Sequence, residues 1–295
     1  MKLDPTSLKL FVSVVEEGTI TGAADREHIA AAAASKRISE LEAVLRTQLL
    51  TRTNKGVEPT VAGSALLNLA RQALHELDEV FIQMRDYASG TRGRVRLFAN
   101  ISAITQFLPR EIEAFVGEHP HVEVQLEERI SALVAKAVAE NAADVGIVTM
   151  LTPHQDLETF PYHSDHLTLI TPKEHPLAAQ RSVSFGKTLE FHYVGLHTGS
   201  AINLQLIKAA AELSQPLRLR IQVTGYDALC FMVEAGLGVA VLPEAIARRY
   251  AKTIQIRAVR LDAPWAQRDL RICVRSYDAL PVAARLLVDH LKRAP

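Results

Sequence analysis

The first sixty residues constrain the fold more than any other part of the chain. Leu8, Phe11, Val12 and Val15 recur at helical spacing, and Gly18 follows where a helix stops. Thr19 or Thr21 can cap the next helix, which carries Ala23 and Ala24. Small residues there let two helices cross closely. Ala34, Ile38, Leu41 and Leu45 form a second apolar stripe. Its opposite face carries Ser35, Lys36 and Arg37, groups suited to phosphates and base edges. The segment LLTRTNKGVEPT at 49–60 then sets two short extended pieces around Asn54-Lys55-Gly56, a turn signal. A hairpin wing there turns Arg52 and Lys55 toward a phosphate backbone. A helix pair followed by a basic helix face is the shape that enters a major groove.

Net charge weighs slightly against that partner. The chain has 33 Lys and Arg against 33 Asp and Glu, and its first sixty residues balance at eight of each. Between 36 and 55, however, Lys36, Arg37, Arg46, Arg52 and Lys55 face only Glu40 and Glu42. A local excess of this kind serves phosphates while the domain stays neutral, with modest non-specific affinity.

Thr60 caps a long helix to about Ser89. In it Leu66, Leu69, Ala73, Leu77, Val80, Met84 and Tyr87 recur at a mean step of about 3.5, that of a coiled-coil seam. A helix about 42 Å long is expected to pair with a copy of itself; the alternative is packing on its own domain. Ser89 to Gly93 is a linker. Beyond it Val95, Leu97 and Ala99 alternate, a helix carries Phe107, Leu108, Ile112, Phe115 and Val116, and Val122, Val124 and Leu126 alternate again. A helix from about Ser131 to Glu140 precedes a buried strand at 144–148. This is an α/β pattern with parallel pairing. It recurs through LTLI (167–170), HYVG (192–195), a helix near 200–213, LRIQV (219–223), a helix near 226–235 and VAVL (239–242). Strands IQIRAV (254–259) and LRICV (270–274) precede a final helix from about Pro281 to Lys292.

The 295 residues, 48% of them hydrophobic, suffice for two or three domains, and no stretch is long and apolar enough to span a bilayer. The N-terminus, MKLDPTSLKLF, has charges and a proline where a signal peptide needs an apolar run. A cytoplasmic protein without membrane contact is expected. Cys230 and Cys273 are the two cysteines; both sit in apolar runs and read as buried small hydrophobes. His163 and His166 lack further ligand spacing and read as structural, as do His119 and His121. Gly236-Leu237-Gly238 follows a helix and precedes a strand, so it is a helix end and not a dinucleotide loop. Neither a metal nor a cofactor is expected.

In order and spacing, these pieces resemble the LysR-type transcriptional regulators over nearly the whole chain. The resemblance rests on LKLF at 8–11, GTIT at 18–21, Ala23-Ala24, SKRISELE at 35–42, the wing from Arg52 to Gly56 and PTVAG at 59–63. The C-terminal half adds FLP at 107–109, His119-Pro120, DVGI at 144–147, HPL at 175–177 and VEAGLGVAVLP at 233–243. It implies an α/β protein with an N-terminal all-α winged helix-turn-helix (1–60), a dimerisation linker helix (61–89) and a C-terminal two-lobed, periplasmic-binding-protein-like α/β region (94–295). Lobe 1 would hold about 94–163 and 268–295, lobe 2 about 165–264, with crossings near 162–166 and 264–269. It also implies double-stranded operator DNA as partner, a homodimer through the linker helix, a homotetramer built from it, and RNA polymerase as a candidate further partner. Thr21, Ala31, Ala32, Ser35, Lys36, Arg37, Arg52 and Lys55 are the expected DNA contacts. The chain departs from the family at 30–34, all alanine, where relatives usually carry a polar pair and a proline, and at Glu27, where relatives place an apolar residue. Specificity then leans on Ser35, Lys36 and Arg37, on DNA shape and on half-site spacing.

The regulatory region should hold a small effector, such as a small carboxylate, at strand ends where helices open. Asn100, Ser102 and Ser131 are the expected contacts from lobe 1, and His197, Thr198, Ser200 and Thr224 those from lobe 2. Plain N-capping by the serines is the alternative. No cluster of Arg or Lys marks the cleft, which favours a mono-anionic or neutral ligand. The expectation is a DNA-binding regulator and not an enzyme. The alternatives are a cytoplasmic small-molecule-binding protein, or an enzyme using the α/β cleft, for which no nucleophile–base pair stands at usable spacing.

Overall fold

The structure is a computed structural model that describes residues 3–53, 56–89, 93–149 and 157–293, so Lys55 and the linker glycine Gly90 lie outside it. The chain divides into two compact units, the second beginning at Gly93. In the first, α1 (Pro5–Glu17) starts at Asp4, whose carboxylate accepts the Ser7 N–H at 3.0 Å, with Pro5 at the first helical position. It ends at Gly18 in the left-handed region, φ 68. Thr19, not Thr21, caps α2 (Ile20–Arg26), accepting the Gly22 N–H at 3.0 Å. Helix α3 (Ala31–Leu45) opens at Ala30 with no side-chain cap. Strands β1 (Leu50–Thr53) and β2 (Gly56–Pro59) pair antiparallel as the wing. The wing is tied inward, because the Val57 N–H donates to the Gly18 carbonyl at 2.8 Å. Gly56, at φ 138, makes that approach possible: a Cβ there would sit 2.2 Å from the Gly18 oxygen. Leu10, Phe11, Val14, Ala23, Ala24, Ala34, Ile38, Leu41, Leu49 and Leu50 form the core of this unit.

Helix α4 (Val61–Ser89) follows, its first turn held by Thr60, which accepts the Gly63 N–H at 3.0 Å. Leu66 packs partly into the core. Leu69, Leu77, Val80 and Met84 of the seam are exposed, as is Phe81, while the Tyr87 side chain lies outside the described residues.

The second unit begins with β3 (Gly93–Ala99), α5 (Ile101–Gln106), α6 (Leu108–Glu118), β4 (Val122–Glu128), α7 (Ser131–Ala139) and β5 (Val145–Thr149). The helix expected to carry Phe107 to Val116 begins only at Leu108, with Phe107 breaking it from α5. Pro109, in the first turn of α6, has no N–H to carry the helix through. The strand β6 (Glu158–Pro172) follows, 15 residues long. Then come β7 (Ser182–Ser184), α8 (Phe185–Thr188), β8 (Tyr193–Leu196), α9 (Ala201–Glu212), β9 (Leu219–Val223), α10 (Tyr226–Glu234), β10 (Ala240–Pro243), α11 (Glu244–Tyr250), β11 (Ile256–Asp262), a 3₁₀ turn (Pro264–Ala266), β12 (Gln267–Val274) and α12 (Val282–Arg293).

One sheet runs β4-β3-β5-β12-β6-β11-β7, with β10 also on β6, and β8 and β9 pair separately. Uniform parallel pairing does not hold. β3–β4, β3–β5 and β8–β9 are parallel, whereas β10, β11 and β12 all run antiparallel to β6. The cause is β6 itself. Its first part pairs with β12 and its second with β10 and β11, so one strand serves two lobes. Each lobe has its own core. Phe115, Val95, Leu97, Ile147 and Leu287 centre the first; Leu169, Tyr193, Leu206, Cys230 and Val241 centre the second. Among the described residues no helix is long and apolar enough to cross a membrane.

Candidate functional site

On the N-terminal unit, Thr21, Ala31, Ala32, Lys36 and Arg52 are exposed, and Ser35 and Arg37 are half-buried. The Lys36 ammonium lies 3.8 Å from Glu40 one turn on. Arg37 is drawn toward the start of α1. The Asp4 carboxyl is held below its usual range, first by the Ser7 hydroxyl and in smaller part by the Arg37 charge. Glu27 has specific partners: its carboxylate accepts the buried Ser13 hydroxyl at 2.7 Å and pairs with Lys9 at 2.8 Å. At the other end of α3, Glu42 accepts the N–H groups of Leu49 and Leu50 at 2.8 and 3.2 Å, fixing where the wing begins.

In the second unit a cavity of about 340 Å³ opens between the lobes, within the range of small-ligand sites. Asn100, Ser102 and Ser131 line it from lobe 1, and His197, Thr198 and Ser200 from lobe 2, so six expected residues meet at one place. Thr224 does not join them; it is exposed and outside the lining. Lobe 2 reaches the cavity instead through Tyr226, at the opening of α10.

Plain capping accounts for Ser200 but not for Ser102 and Ser131. Asn100 is the cap of α5, its Oδ1 accepting the Ala103 N–H at 3.0 Å. Its Nδ2 donates to Ser131 Oγ at 3.0 Å and to Thr149 Oγ1 at 3.1 Å. Ser131 Oγ also accepts the Thr149 N–H at 3.0 Å. Ser102 Oγ lies 3.0 Å from the Tyr226 hydroxyl and accepts from Arg268 Nη2 at 3.2 Å. Ser200 caps α9, accepting the Asn203 N–H at 3.3 Å. His197 Nδ1 is buried and has no hydrogen-bond partner among the described residues.

The expectation of a cleft without basic residues needs correction, since Arg129 and Arg268 both line it. Their charges are already engaged. Arg268 is buried and pairs with buried Asp165, Nε to Oδ1 at 2.8 Å with a second contact from Nη2 to Oδ2. Gln106 Nε2 adds a bond to the same carboxylate at 2.9 Å. Arg129 Nε donates to Glu127 at 2.6 Å. Burial pushes the Tyr226 hydroxyl up to about 12, so it stays protonated. Sequence reasoning missed Tyr226 and Arg268. The available signal was a pair of opposite charges, Asp165 and Arg268, inside the two expected crossings.

The remaining chemistry-bearing side chains are accounted for locally. His163 Nε2 lies 2.6 Å from Glu111, and its ring stacks on Phe107 at 4.1 Å. Among the described residues no group of three His, Cys, Asp or Glu is placed to hold a metal ion. Burial lifts the thiols of Cys230 and Cys273 to about 12.

Residues 5–64 match the family model described as bacterial regulatory helix-turn-helix protein, lysR family, and residues 88–295 match that of the LysR substrate binding domain. The chain is 29% identical over 287 residues to YbhD of Escherichia coli (strain K12), an uncharacterised HTH-type transcriptional regulator, covering 97% of this chain and 90% of that one. Its fold resembles full-length CbnR solved with its target DNA, at TM-score 0.70 and 20% identity, covering 99% of both chains. The regulatory domain of CcmR from Synechocystis PCC6803, solved with 2-PG, is similar to 68% of this chain and covered over 96% of its own, at TM-score 0.63 and 21% identity.

Proposed function

Since the chain belongs to the LysR family of bacterial helix-turn-helix regulators, and is thereby a DNA-binding transcriptional regulator with an effector-binding region, we propose how its residues divide that work. The α2–α3 pair docks in a major groove. Thr21, Ala31, Ala32, Ser35, Lys36 and Arg37 meet bases and phosphates, and Arg52 and Lys55 of the wing meet the backbone. Helix α4 pairs with a second copy through Leu69, Leu77, Val80 and Met84, and two such dimers form a tetramer. The inter-lobe cavity takes a small effector on Asn100, Ser102, Ser131, His197, Thr198 and Ser200, joined by Tyr226 and Arg268. Effector binding shifts the balance between two arrangements of the oligomer that engage different operator half-sites. The protein works in the cytoplasm, where its DNA is, and performs no catalysis.

One observation carries this reading. Six polar residues from three separate stretches of sequence converge on one cavity, in a chain whose other unit exposes the polar face of a winged helix-turn-helix. The test is a mobility shift with pure full-length protein, at low ionic strength, on the DNA upstream of its own gene. Retardation that fades as salt rises is the expected result. Mobility untouched at every protein concentration refutes the proposal.

A further inference from the structure

Resting on the reading of the inter-lobe cavity as the effector site, we infer that its ligand is a small zwitterion of the α-amino-acid type, with its carboxylate on the hydroxyl wall and its ammonium toward Glu128. The first half follows from counting protons. A serine hydroxyl has one proton and two lone pairs. Both lone pairs of Ser131 Oγ are taken, by Asn100 Nδ2 and the Thr149 N–H, so only its proton remains to be given. Ser102 Oγ accepts from Arg268 and shares one hydrogen bond with the Tyr226 hydroxyl. Whichever of the two donates, one hydroxyl proton of the pair is left over. Ser200 Oγ accepts the Asn203 N–H and likewise keeps its proton. The wall therefore gives hydrogen bonds more readily than it takes them, and what rests on it must be an acceptor oxygen.

The second half follows from charge. Each cation lining the cavity is already matched by a carboxylate, Arg268 by Asp165 and Arg129 by Glu127. Glu128, also in the lining, has no ion-pair partner among the described residues, and its charge is felt at the Tyr226 hydroxyl. A dicarboxylate would bring two negative charges to a site with no unmatched cation and one unmatched anion. An ammonium beside the carboxylate removes that repulsion and gives Glu128 a partner. His197 and Thr198 line the opposite wall. The lining also holds Ile130, Leu133 and Ile202, room for a short apolar side chain.

The experiment is titration calorimetry on the full-length protein. The probes are the L-amino acids, the α-hydroxy acids that match them with hydroxyl in place of amine, succinate and malate, and the neutral polyol erythritol. At least one amino acid should bind about tenfold more tightly than its hydroxy counterpart, the value of one charge-assisted hydrogen bond. Glu128→Gln, at an exposed position, should erase that preference. The inference is overturned if a hydroxy acid, a dicarboxylate or erythritol binds as tightly, if the preference survives Glu128→Gln, or if nothing in the panel binds. Thr198→Trp, exposed at the cavity mouth, separates this failure from that of the cleft itself. A hydroxy acid blocked by Thr198→Trp keeps the cleft and overturns the zwitterion; an amino acid that binds Thr198→Trp undiminished sits elsewhere, and the cleft reading falls with the inference.

Discussion

Removing the Asp165 carboxylate should destabilise the regulatory unit far more than a surface substitution would. The Arg268 side chain is 6% exposed and that of Asp165 4%, and each is the other's counter-charge. In Asp165→Ala the guanidinium keeps its charge in a largely buried site. It loses the 2.8 Å bond from Nε and the second contact from Nη2, and Gln106 loses its 2.9 Å acceptor. Stranding one partner of a buried ion pair costs about 3–5 kcal/mol. Arg268→Met strands the carboxylate but leaves it the Gln106 bond, so its cost should be smaller. The double variant leaves no charge stranded, and the two single losses should exceed its loss by about 2–3 kcal/mol. Trp265, the chain's one tryptophan, reports the transition by fluorescence. It stands edge-on to Phe185 at 5.0 Å, three positions before Arg268. Urea unfolding of the four proteins gives each free energy from midpoint and slope. A loss under about 1 kcal/mol for Asp165→Ala, or strict additivity in the double variant, would refute the claim that this buried pair is electrostatically coupled.

Four further outcomes are expected. Burial opposes the charge on Glu27, but Lys9 and the Ser13 hydrogen bond outweigh it and hold the carboxyl below its ordinary value. Its contribution is therefore present above the unfolded pKa and lost as pH falls through the folded one; Glu27→Gln should cost about 1–2 kcal/mol at pH 7 and flatten acid unfolding followed by circular dichroism. Ala30→Ser supplies the side-chain cap that α3 lacks and should stabilise the N-terminal unit by about 1 kcal/mol in thermal unfolding, with no change meaning that the first turn is satisfied otherwise. Lys36→Ala should weaken operator binding and lower the slope of log K against log salt by about 1; an unchanged slope removes Lys36 from the phosphate contacts. Cys230 and Cys273, with thiols raised to about 12, should resist iodoacetamide at pH 8 in the folded protein, and mass-detected alkylation of either would contradict their burial.

The N-terminal unit was legible because its signals are local. Asp4, Gly18 and Thr19 act on residues within four positions of themselves, and the 3.6-residue pattern marks the buried faces of α1 and α3. Strand β5 was legible for a similar reason, since all five residues are buried and the first four, Val145 to Val148, read as an unbroken apolar run. The crossing strand was not. The stretch ETFPYHSD at the start of β6 has no clean alternation and contains Pro161, and its partner β12 lies about a hundred residues away, so only the apolar LTLI half announced itself. The cavity divides along the same line. Asn100 and Ser131 betray themselves by opening helices after strands. Tyr226 and Arg268 reach Ser102 across 124 and 166 positions, a proximity that no spacing rule carries. Thr224 shows the rule overreaching: it follows a strand as Asn100 does, but α10 opens two residues later and takes Tyr226 inward in its place. Glu27 looked like a defect in an apolar position until Ser13 and Lys9, both on α1, were seen to complete it.

The same bonds decide how a ligand can act as a switch. Ser102 and Tyr226 already hold one another across the cleft, so a ligand oxygen meeting that pair adds to, or exchanges with, a bond the empty protein makes. An exchanged bond returns little free energy, because what is gained at the ligand is lost at the pair. Ser131 is different. Its proton has no partner among the described residues, and a bond it makes to a ligand at the proposed site is new. Ser200, on the other lobe, likewise keeps its proton, so a ligand touching both favours the arrangement that brings the lobes to it. Two such bonds at about 1 kcal/mol each reach the 1–3 kcal/mol typical of coupling between sites. On the proposed reading, the contact between Ser102 and Tyr226 would set where the lobes start, and Ser131 with Ser200 would supply the difference in affinity that moves them.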